Sequence, residues 1–466
     1  MPVKVSSVTK KDISFFKEQG NDAFSTFVQR HSSNYGDLIY ILENIGHVSP
    51  TFDVSWLFPL LKSSNETVRC LAIKNIAKIN SEENIGTMYY ILNHDESTMV
   101  KREAVSCIGR MRNEKCIPIL KETLNNEDPK IVCQAIRGLL VFKGRSDVDS
   151  SLKALIHHEN EIVSAVIHKE YYANENITKP KLSHTQTYEF LKNVVVNGDV
   201  RDVIELVPDD SIHLTFTSPP YYNARDYSIY SSYESYLKFL EEVFKSVFRV
   251  TKEGRFLIVN TSPVIVPRIS RAHKSKRYPI PFDLHHYLVN MGWEFIDDIV
   301  WLKPEYSVKN RIGGFQQHRK PLAYKPNSVT EYLMVYRKET DKLLDWNMHQ
   351  YDEKVVKESR VKDGFETTNV WAICPKSDKV HSAIFPVDLC KRVIEYYSYK
   401  GDIVFDPFAG SGTLGRTAKS MDRYFFLTEK DEKYFNYMKT FQAPESLFSK
   451  SSTKFLSLEQ FKETII

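Results

Sequence analysis

Apolar positions along this chain follow two rhythms, with a change near residue 180. From about residue 35 to 172 they recur at helical spacing, and the helical segments themselves repeat. Glu66-Thr-Val-Arg-Cys-Leu-Ala-Ile-Lys-Asn-Ile is matched by Met99-Val-Lys-Arg-Glu-Ala-Val-Ser-Cys-Ile and by Pro129-Lys-Ile-Val-Cys-Gln-Ala-Ile-Arg-Gly-Leu. Aligned in this way, Val68, Val100, Ile131 and Ile162 are equivalent, at spacings of 32, 31 and 31. Ala72, Ala104 and Ala135 follow the first three by one turn, where small side chains let helices approach. Asn65, Asp95, Asp128 and Asn160 stand just upstream, as helix caps or in the turn before one. Between these segments lie Trp56–Leu61, Ile85–Leu92 and Cys116–Leu124, also helical in pattern. A period near 32 with two helices per unit predicts an α-solenoid; an irregular helical bundle is the alternative.

Tyr171–Gln186 is polar and holds Pro180, which predicts a linker over residues 176–186. Beyond it the rhythm becomes strands alternating with helices. Predicted strands are Asn193–Val196, His213–Thr217, Arg255–Asn260, Trp293–Leu302, Thr330–Tyr336, Ile403–Phe405 and Tyr424–Leu427. Predicted helices are Ser235–Phe248, Pro281–Asn290, Phe385–Ser398, Gly412–Lys419 and Glu432–Lys439. Such alternation implies an α/β domain over residues 187–445, a mostly parallel, doubly wound sheet covered on both faces. Residues 1–175 form the all-α domain and 446–466 a C-terminal tail. Ligands of such sheets bind beyond the carboxyl ends of the strands.

Composition narrows the class. The chain has 466 residues, 42% hydrophobic and 26% charged, with a formal net charge of only +4. A nucleic-acid surface must therefore come from local clustering of cations. No apolar run approaches membrane-spanning length, and the first residues lack a signal-peptide core. Six cysteines occur without a C-x-x-C pair; Cys70, Cys107, Cys116 and Cys133 sit on helical patterns, as buried thiols of an intracellular protein. No metal site is expected.

The predicted strand ending at Thr217 runs into Ser218-Pro219-Pro220-Tyr221. Each proline fixes its φ, donates no N–H and holds its predecessor extended. The Ser218 and Pro219 carbonyls are thereby set in a stiff turn, free to accept hydrogen bonds, with an aromatic face beside them. Rigid acceptors next to a stacking ring suit an exocyclic amino group on a planar base. The bland alternative is a stiff loop cap with an incidental tyrosine.

A second motif, Gly401-Asp-Ile-Val-Phe-Asp-Pro-Phe-Ala-Gly-Ser-Gly-Thr, runs from a buried strand through a glycine-rich turn into a helix. Gly410 and Gly412 permit a tight bend and close ligand approach; Ser411 or Thr413 can cap the helix. Glu429 stands 19 residues after Gly410, an offset suited to ribose hydroxyls. Gly410, Gly412 and Gly415 also satisfy G-x-G-x-x-G, so glycine spacing leaves a dinucleotide site open. Asp406 at the strand end weighs against one, since it would repel a pyrophosphate and tolerate a cationic sulfonium.

Taken together, these motifs resemble the amino-methylating DNA methyltransferases, and Thr217-Ser-Pro-Pro-Tyr221 resembles their cytosine-N4 branch. Having the catalytic motif before the cofactor loop resembles the permuted β class. The N-terminal period resembles short HEAT-like repeats. The resemblance implies a Rossmann-like fold that binds S-adenosyl-L-methionine and methylates a flipped cytosine in double-stranded DNA. His381, Ala383 and Phe385 would border the methionine; Phe408, Ala409, Gly410, Ser411, Gly412 and Thr413 would wrap methionine and sugar, with Asp406 at the strand end. Glu429 would hold the ribose, and Asp199 would accept from the adenine amino group, although Asn197-Gly-Asp could equally be an ordinary turn. Ser218, Pro219, Pro220 and Tyr221 would form the catalytic turn. Adenine-N6 enzymes usually carry Asp before Pro-Pro, which makes them the nearest alternative. Cys374-Pro375, in reversed order and outside a strand–turn context, excludes cytosine-C5 chemistry. A scaffold with an inactive methyltransferase fold is a second alternative. A restriction-modification role in a prokaryotic cytoplasm follows as an expectation, with a cognate endonuclease as one partner the sequence leaves open.

Two acid-free basic segments are expected at the same sheet edge: residues 263–280, with Arg268, Arg271, Lys274, Lys276 and Arg277, and residues 306–327, with Lys309, Arg311, Arg319 and Lys320. Clusters of this kind favour phosphate contact over a merely solvated face. Gln316 and Gln317 are candidates for reading base edges, Tyr222 and Arg225 for touching DNA beside the pocket. Residues 338–366 are the candidate target-recognition insert.

Overall fold

The computed structural model describes residues 7–48, 52–79, 82–172, 182–222, 230–266, 270, 272–375, 385–440 and 452–465. The chain divides into two compact units, Met1–Ile177 and Thr178–Ile466.

The first unit is all helix. Three helices, α1 (Lys10–Glu18), α2 (Asn21–His31) and α3 (Tyr35–Asn44), precede the repeats. The repeats pair 3-10 turns over Ser55–Lys62 with α4 (Glu66–Ile76), α5 (Ile85–His94) with α6 (Thr98–Arg110), α7 (Ile117–Thr123) with α8 (Pro129–Leu139), and α9 (Ser146–Lys153) with α10 (Glu161–Tyr171). Asn65, Asp128 and Asn160 cap α4, α8 and α10, accepting from backbone N–H groups of the first turn. At α6 the cap is Ser97, and Asp95 accepts from the Ser97 N–H in the preceding turn. Val68, Val100 and Ile131 are buried three residues past their caps, as the period requires. The fourth position differs from expectation. Ile162 is 59% exposed and Val163 is fully buried, because Asn160 itself caps α10 and places Val163 at the inward-facing third position. The repeat spacing is thus set by cap geometry.

Successive repeats are joined twice. Arg69 forks onto Asp95, Nε to Oδ2 and Nη2 to Oδ1 both at 2.9 Å, and Arg102 repeats the contact with Asp128. A Cβ built on Gly138 would lie 2.8 Å from the Gly109 Cα. The absence of side chains there lets α6 and α8 cross in contact.

The second unit holds a nine-stranded sheet. Its strands are β1 (Val194–Asn197), β2 (Ile212–Thr217), β3 (Thr251–Thr261), β6 (Trp293–Leu302), β7 (Thr330–Lys338), β8 (Val370–Ala372), β9 (Ile403–Asp406), β10 (Tyr424–Glu429) and β11 (Lys454–Ser457). A separate hairpin joins β4 (Val264–Val266) to β5 (Lys276–Tyr278). The sheet order is β11-β1-β10-β9-β2-β3-β7-β6-β8. All neighbours are parallel except β7, which runs against both β3 and β6. One face carries α11 (Val200–Ile204), α12 (Tyr233–Val250) and α13 (Ile280–Asn290). The other carries α17 (Val387–Tyr397), α18 (Thr413–Ser420) and α19 (Glu432–Thr440). Short helices α14 (Gly313–His318), α15 (Leu344–His349) and α16 (Glu353–Glu358) lie in connections, and α20 (Leu458–Glu463) follows β11. This is the doubly wound, mostly parallel α/β architecture expected.

Three boundaries change. The described part of the expected tail is β11 and α20: β11 extends the sheet beside β1, and Phe461 is fully buried in the core. Within the linker, Ser183 and His184 pack on the α/β unit. The Ser183 carbonyl accepts from Lys252, and His184 meets Trp346 edge-on at 4.9 Å. Residues 338–366 lie at the amino edge of the parallel strands. Because β7 runs antiparallel, its exit is at that edge, where Asn347 donates to the Gly254 carbonyl and Tyr351 to Asp402. Base recognition by this segment is therefore corrected: the candidate base pocket is at the opposite edge.

That amino edge holds a buried polar cluster. Asp402 is fully buried and pairs with Arg255, which is 2% exposed. Asp402 also accepts from Tyr351 Oη at 2.5 Å and from the Tyr399 N–H at 2.8 Å. His213 accepts from the Ile403 N–H at Nδ1, and its Nε2 faces the His184 carbonyl. Burial holds the His213 imidazole down at about 3, so it stays neutral.

Candidate active site

Five strands end together at the carboxyl edge: β1, β10, β9, β2 and β3. Each delivers one polar group. β2 delivers the acceptor turn; Ser218 and Pro220 are half-buried and Pro219 is buried. β9 delivers Asp406, 2% exposed. Its Oδ1 accepts from Thr217 Oγ1 at 2.7 Å and from the Phe408 N–H at 3.0 Å. The first of these bonds ties the acceptor turn to the glycine loop across 189 residues of sequence. Burial pushes the Asp406 carboxyl up to about 7, and the two donors only partly offset that.

The loop itself follows Asp406. Gly410 and Gly412 have φ of 52° and 72°, a left-handed conformation that side chains oppose. A Cβ on Gly412 would also lie 2.5 Å from Met438 Sδ. Gly415, the third glycine of the spacing, packs α18 on β10: its Cβ would meet Leu427 Cδ1 at 2.7 Å. Ala409 donates its N–H to the Thr428 carbonyl, Ser411 and Thr413 hydroxyls lie 3.2 Å apart, and Phe408 approaches Phe239.

β10 delivers Glu429, whose Oε2 accepts from the Gly410 N–H at 2.7 Å and Oε1 from the Asp431 N–H at 2.8 Å. Burial, with the nearby Asp406 charge adding to it, raises this carboxyl to about 7 as well. Two buried acids thus face one glycine turn, which Arg416 also grips through the Ser411 carbonyl at 2.6 Å. Such a site favours a ligand that brings positive charge and hydroxyl donors.

β1 places Asn197 opposite Glu429, and Asn197 Nδ2 donates to the Glu429 carbonyl. Asp199 caps α11, and Arg201 and Lys430 also bind its carboxylate. Those bonds outweigh burial and hold it at about 2. It lies at the expected edge, already engaged by two cations of its own chain. Phe385 stacks on Phe216 with ring centroids 4.4 Å apart, next to the acceptor turn. His381 and Ala383 lie outside the described residues, as do Arg225, Arg268 and Arg271.

Tyr221 is half-buried, its ring against the core and its hydroxyl tied down. The phenol donates to Glu331 Oε2 at 3.1 Å and accepts from Asn260 Nδ2 at 3.2 Å. Asn260 also donates to Glu331, and Lys303 pairs with the other carboxylate oxygen. Sequence reasoning missed Asn260, Lys303 and Glu331. One signal was available: a lysine just after one apolar strand and a glutamate at the start of the next, in strands whose antiparallel register sets Trp301 opposite Glu331. Tyr222 is corrected. It is 7% exposed and packed among Tyr233, Tyr236 and Tyr278, so its face is unavailable to DNA.

The two basic segments meet. β3 and β6 run in the same direction, so the β4–β5 hairpin and the 306–327 connection both leave from the carboxyl edge. They enclose a cleft of about 430 Å³ lined by Arg277, Lys309, Arg311 and Lys325, with Tyr324 in its wall. Lys274, Lys276, Arg319 and Lys320 are exposed around it, and Gln316 and Gln317 are exposed on α14. The Arg311 N–H bonds Asn327 Oδ1, and Asn327 in turn donates to Glu305, which closes the base of the connection.

Residues 212–440 match the DNA methylase family, and residues 54–140 and 85–168 match HEAT repeats. The type II beta methyltransferase M.BslI of Bacillus sp. is 27% identical over 230 residues, 47% of this chain and 24% of that protein. The type II methyltransferase M.Cfr9I of Citrobacter freundii is 28% identical over 287 residues, 54% of this chain and 89% of that protein. This chain therefore spans about a quarter of the first relative and most of the second. A putative DNA modification methylase of Thermus thermophilus, solved with S-adenosyl-L-methionine, shares 24% identity, covers 57% of this chain and 98% of its own, and superposes with a TM-score of 0.46. Residues 212–440 are thus similar to the DNA methylase family, and residues 54–168 to HEAT repeats.

Proposed function

We propose that the chain transfers the methyl group of S-adenosyl-L-methionine to an exocyclic amino group of DNA, cytosine N4, at a specific site. The observation that carries this reading is the buried 2.7 Å bond from Thr217 to Asp406. It joins a stiff acceptor turn to a glycine loop flanked by two buried acids whose carboxyls burial raises. A sulfonium cofactor supplies the missing positive charge, and its ribose hydroxyls supply donors to Glu429. A dinucleotide fits less well, because its pyrophosphate would add negative charge beside Asp406.

In the reaction the sulfonium carbon–sulfur bond breaks, a carbon–nitrogen bond forms, and the nitrogen loses one proton to solvent. The amino lone pair is delocalised into the base. Acceptors on its N–H bonds, the Ser218 side chain or carbonyl and the Pro219 carbonyl, favour the pyramidal nitrogen of the transition state. The target atom lies inside the duplex stack, so the base is flipped at a cost of about a few kcal/mol. The basic cleft holds the flanking phosphates. The site residues keep the roles given by the sequence, with Tyr221 as the stacking ring and Tyr222 excluded. Cytosine is favoured over adenine by Ser218 in place of the Asp usual before Pro-Pro. The motif order supports the permuted β arrangement, and the named relatives support a restriction-modification role in a prokaryotic cytoplasm, alongside a cognate endonuclease.

The test is to incubate the full chain with cofactor and unmodified DNA, digest to nucleosides and identify the product by mass spectrometry. N4-methylcytosine is expected. N6-methyladenine alone overturns the choice of base. Failure to bind S-adenosyl-L-methionine calorimetrically favours an inactive scaffold.

A further inference from the structure

Cations of the helical unit fall in register on one face. Counted from the caps Asn65, Ser97, Asp128 and Asn160, the ninth residues of α4, α6, α8 and α10 are Lys74, Ser106, Arg137 and Lys169. The thirteenth residues from the first two caps are Lys78 and Arg110, and the second from Asp128 is Lys130. The second, ninth and thirteenth positions share one side of a helix, opposite the third and seventh, which are buried in all four. These six cations therefore lie on the solvent face of one layer, and all six are exposed. Glu103, at the sixth position of α6, is the single acid along that stripe among the described residues, and Arg110 binds it at 2.5 Å. Lys130, Arg137 and Lys169 have no acidic partner among the described residues.

The opposite layer differs. Helices α5, α7 and α9, with the turns leading into them, carry Glu82, Glu83, Glu114, Glu122 and Asp147. Cations there are bound to those acids: Lys115 pairs with Glu82, and Arg145 with Glu114 and Asp147. The basic layer is also the closely packed one, since α6 lies directly against both α4 and α8. Helices in contact are about 8–10 Å apart, so the row from Lys74 to Lys169 crosses about 25–30 Å. That matches on the order of eight base pairs of duplex.

We propose that this face is a second DNA-binding surface, which holds the phosphate backbone of a duplex without reading its sequence. From the function proposed above it takes only DNA as the partner. Lys and Arg supply phosphate contacts, which position the duplex and carry no sequence information. An acidic protein is the other polyanion of matching charge. Protein interfaces, however, are depleted in Lys and anchored by aromatic rings, and no aromatic residue stands at the second, ninth or thirteenth positions.

The experiment follows binding of the full chain to a fluorescein-labelled duplex of arbitrary sequence by anisotropy, across a range of salt concentrations. The triple variant Lys74→Ser, Arg137→Ser, Lys169→Ser gives three helices the residue that α6 already has in that row. It should bind at least about tenfold more weakly at about 0.1 M salt, with the slope of log affinity against log salt reduced by about 2–3. The triple variant Lys115→Ser, Arg145→Ser, Lys153→Ser removes the same charge from the opposite layer and should stay within about twofold of the parent. Equal losses in both triples mean that bulk charge acts, and an unchanged slope in the first means that its cations touch no phosphate; either result overturns the inference. So does a first triple that binds DNA like the parent but releases poly-glutamate, which assigns the face to an acidic protein. If the first triple melts well below the parent, Arg137→Ser and Lys169→Ser decide singly: each should lower the slope by about one, and no change in either sinks the proposal. An unaltered chain that binds the duplex and transfers no methyl group overturns the proposed function and leaves this inference standing.

Discussion

Asp402 and Asp406 bracket the same short strand, one at its entry and one at its end. Both are buried, yet burial leaves them in opposite states. Asp402 has Arg255, Tyr351 and a backbone N–H around it, and Arg255 together with the other partners keeps its carboxyl below the ordinary range despite desolvation. Asp406 has one hydroxyl and one N–H, and it rises to about 7. The amino edge of the sheet is electrostatically finished, and the carboxyl edge is unfinished in the direction that a cationic ligand would complete. The difference separates a buried acid that holds the fold from one held ready for a ligand.

Four substitutions break or sharpen this contrast. Arg255→Met should cost most, about 3–5 kcal/mol, because it strands a buried carboxylate without its cation; urea titration at pH 8 measures it. Gly412→Ala should cost about 1–2 kcal/mol through the left-handed backbone alone, with cofactor affinity falling more steeply as Met438 is displaced. Tyr351→Phe leaves Asp402 one donor short and should cost about 1 kcal/mol. Asp406→Asn should be nearly neutral in stability at pH 4 and stabilising at pH 8, while cofactor binding is lost.

The last prediction follows from linkage. Asp406 and Glu429 titrate near 7 in the folded chain against ordinary values of 3.8 and 4.5. The native state therefore holds extra protons between those values, and stability falls as pH rises from about 4 to about 7. Asp402 works the other way: its depressed value gives a contribution present above about 3.8 and lost only on acidification. Thermal melts from pH 4 to 8 should show a smaller decline in Asp406→Asn than in the parent. Equal slopes would mean that Asp406 is ionised in the fold throughout.

The carboxyl edge was legible in the sequence because its groups sit in continuous motifs with characteristic spacing, Thr217–Tyr221 and Asp406–Thr413. The helical repeats were legible to within one residue, and the slip at Ile162 arose from counting apolar positions instead of counting from the Asn160 cap. The amino-edge cluster was not legible. His213, Arg255, Tyr351 and Asp402 come from four separate elements, and no local pattern marks a charge that will be buried. Residues 338–366 look like an insert because they are polar. Only the reversed direction of β7 shows which edge they serve. Phe455, Leu456 and Phe461 form too short an apolar run after a polar stretch to stand out as a strand and a helix.

The position of β1 has a consequence for synthesis. Its neighbours are β10 and β11, and Val194 pairs with Phe426 and Lys454. At about 5–20 residues per second, a ribosome takes roughly ten to fifty seconds between making β1 and making its first partner. For that interval the nascent chain carries an unpaired Val-Val-Val segment, so this half of the sheet closes only once β10 and β11 have emerged.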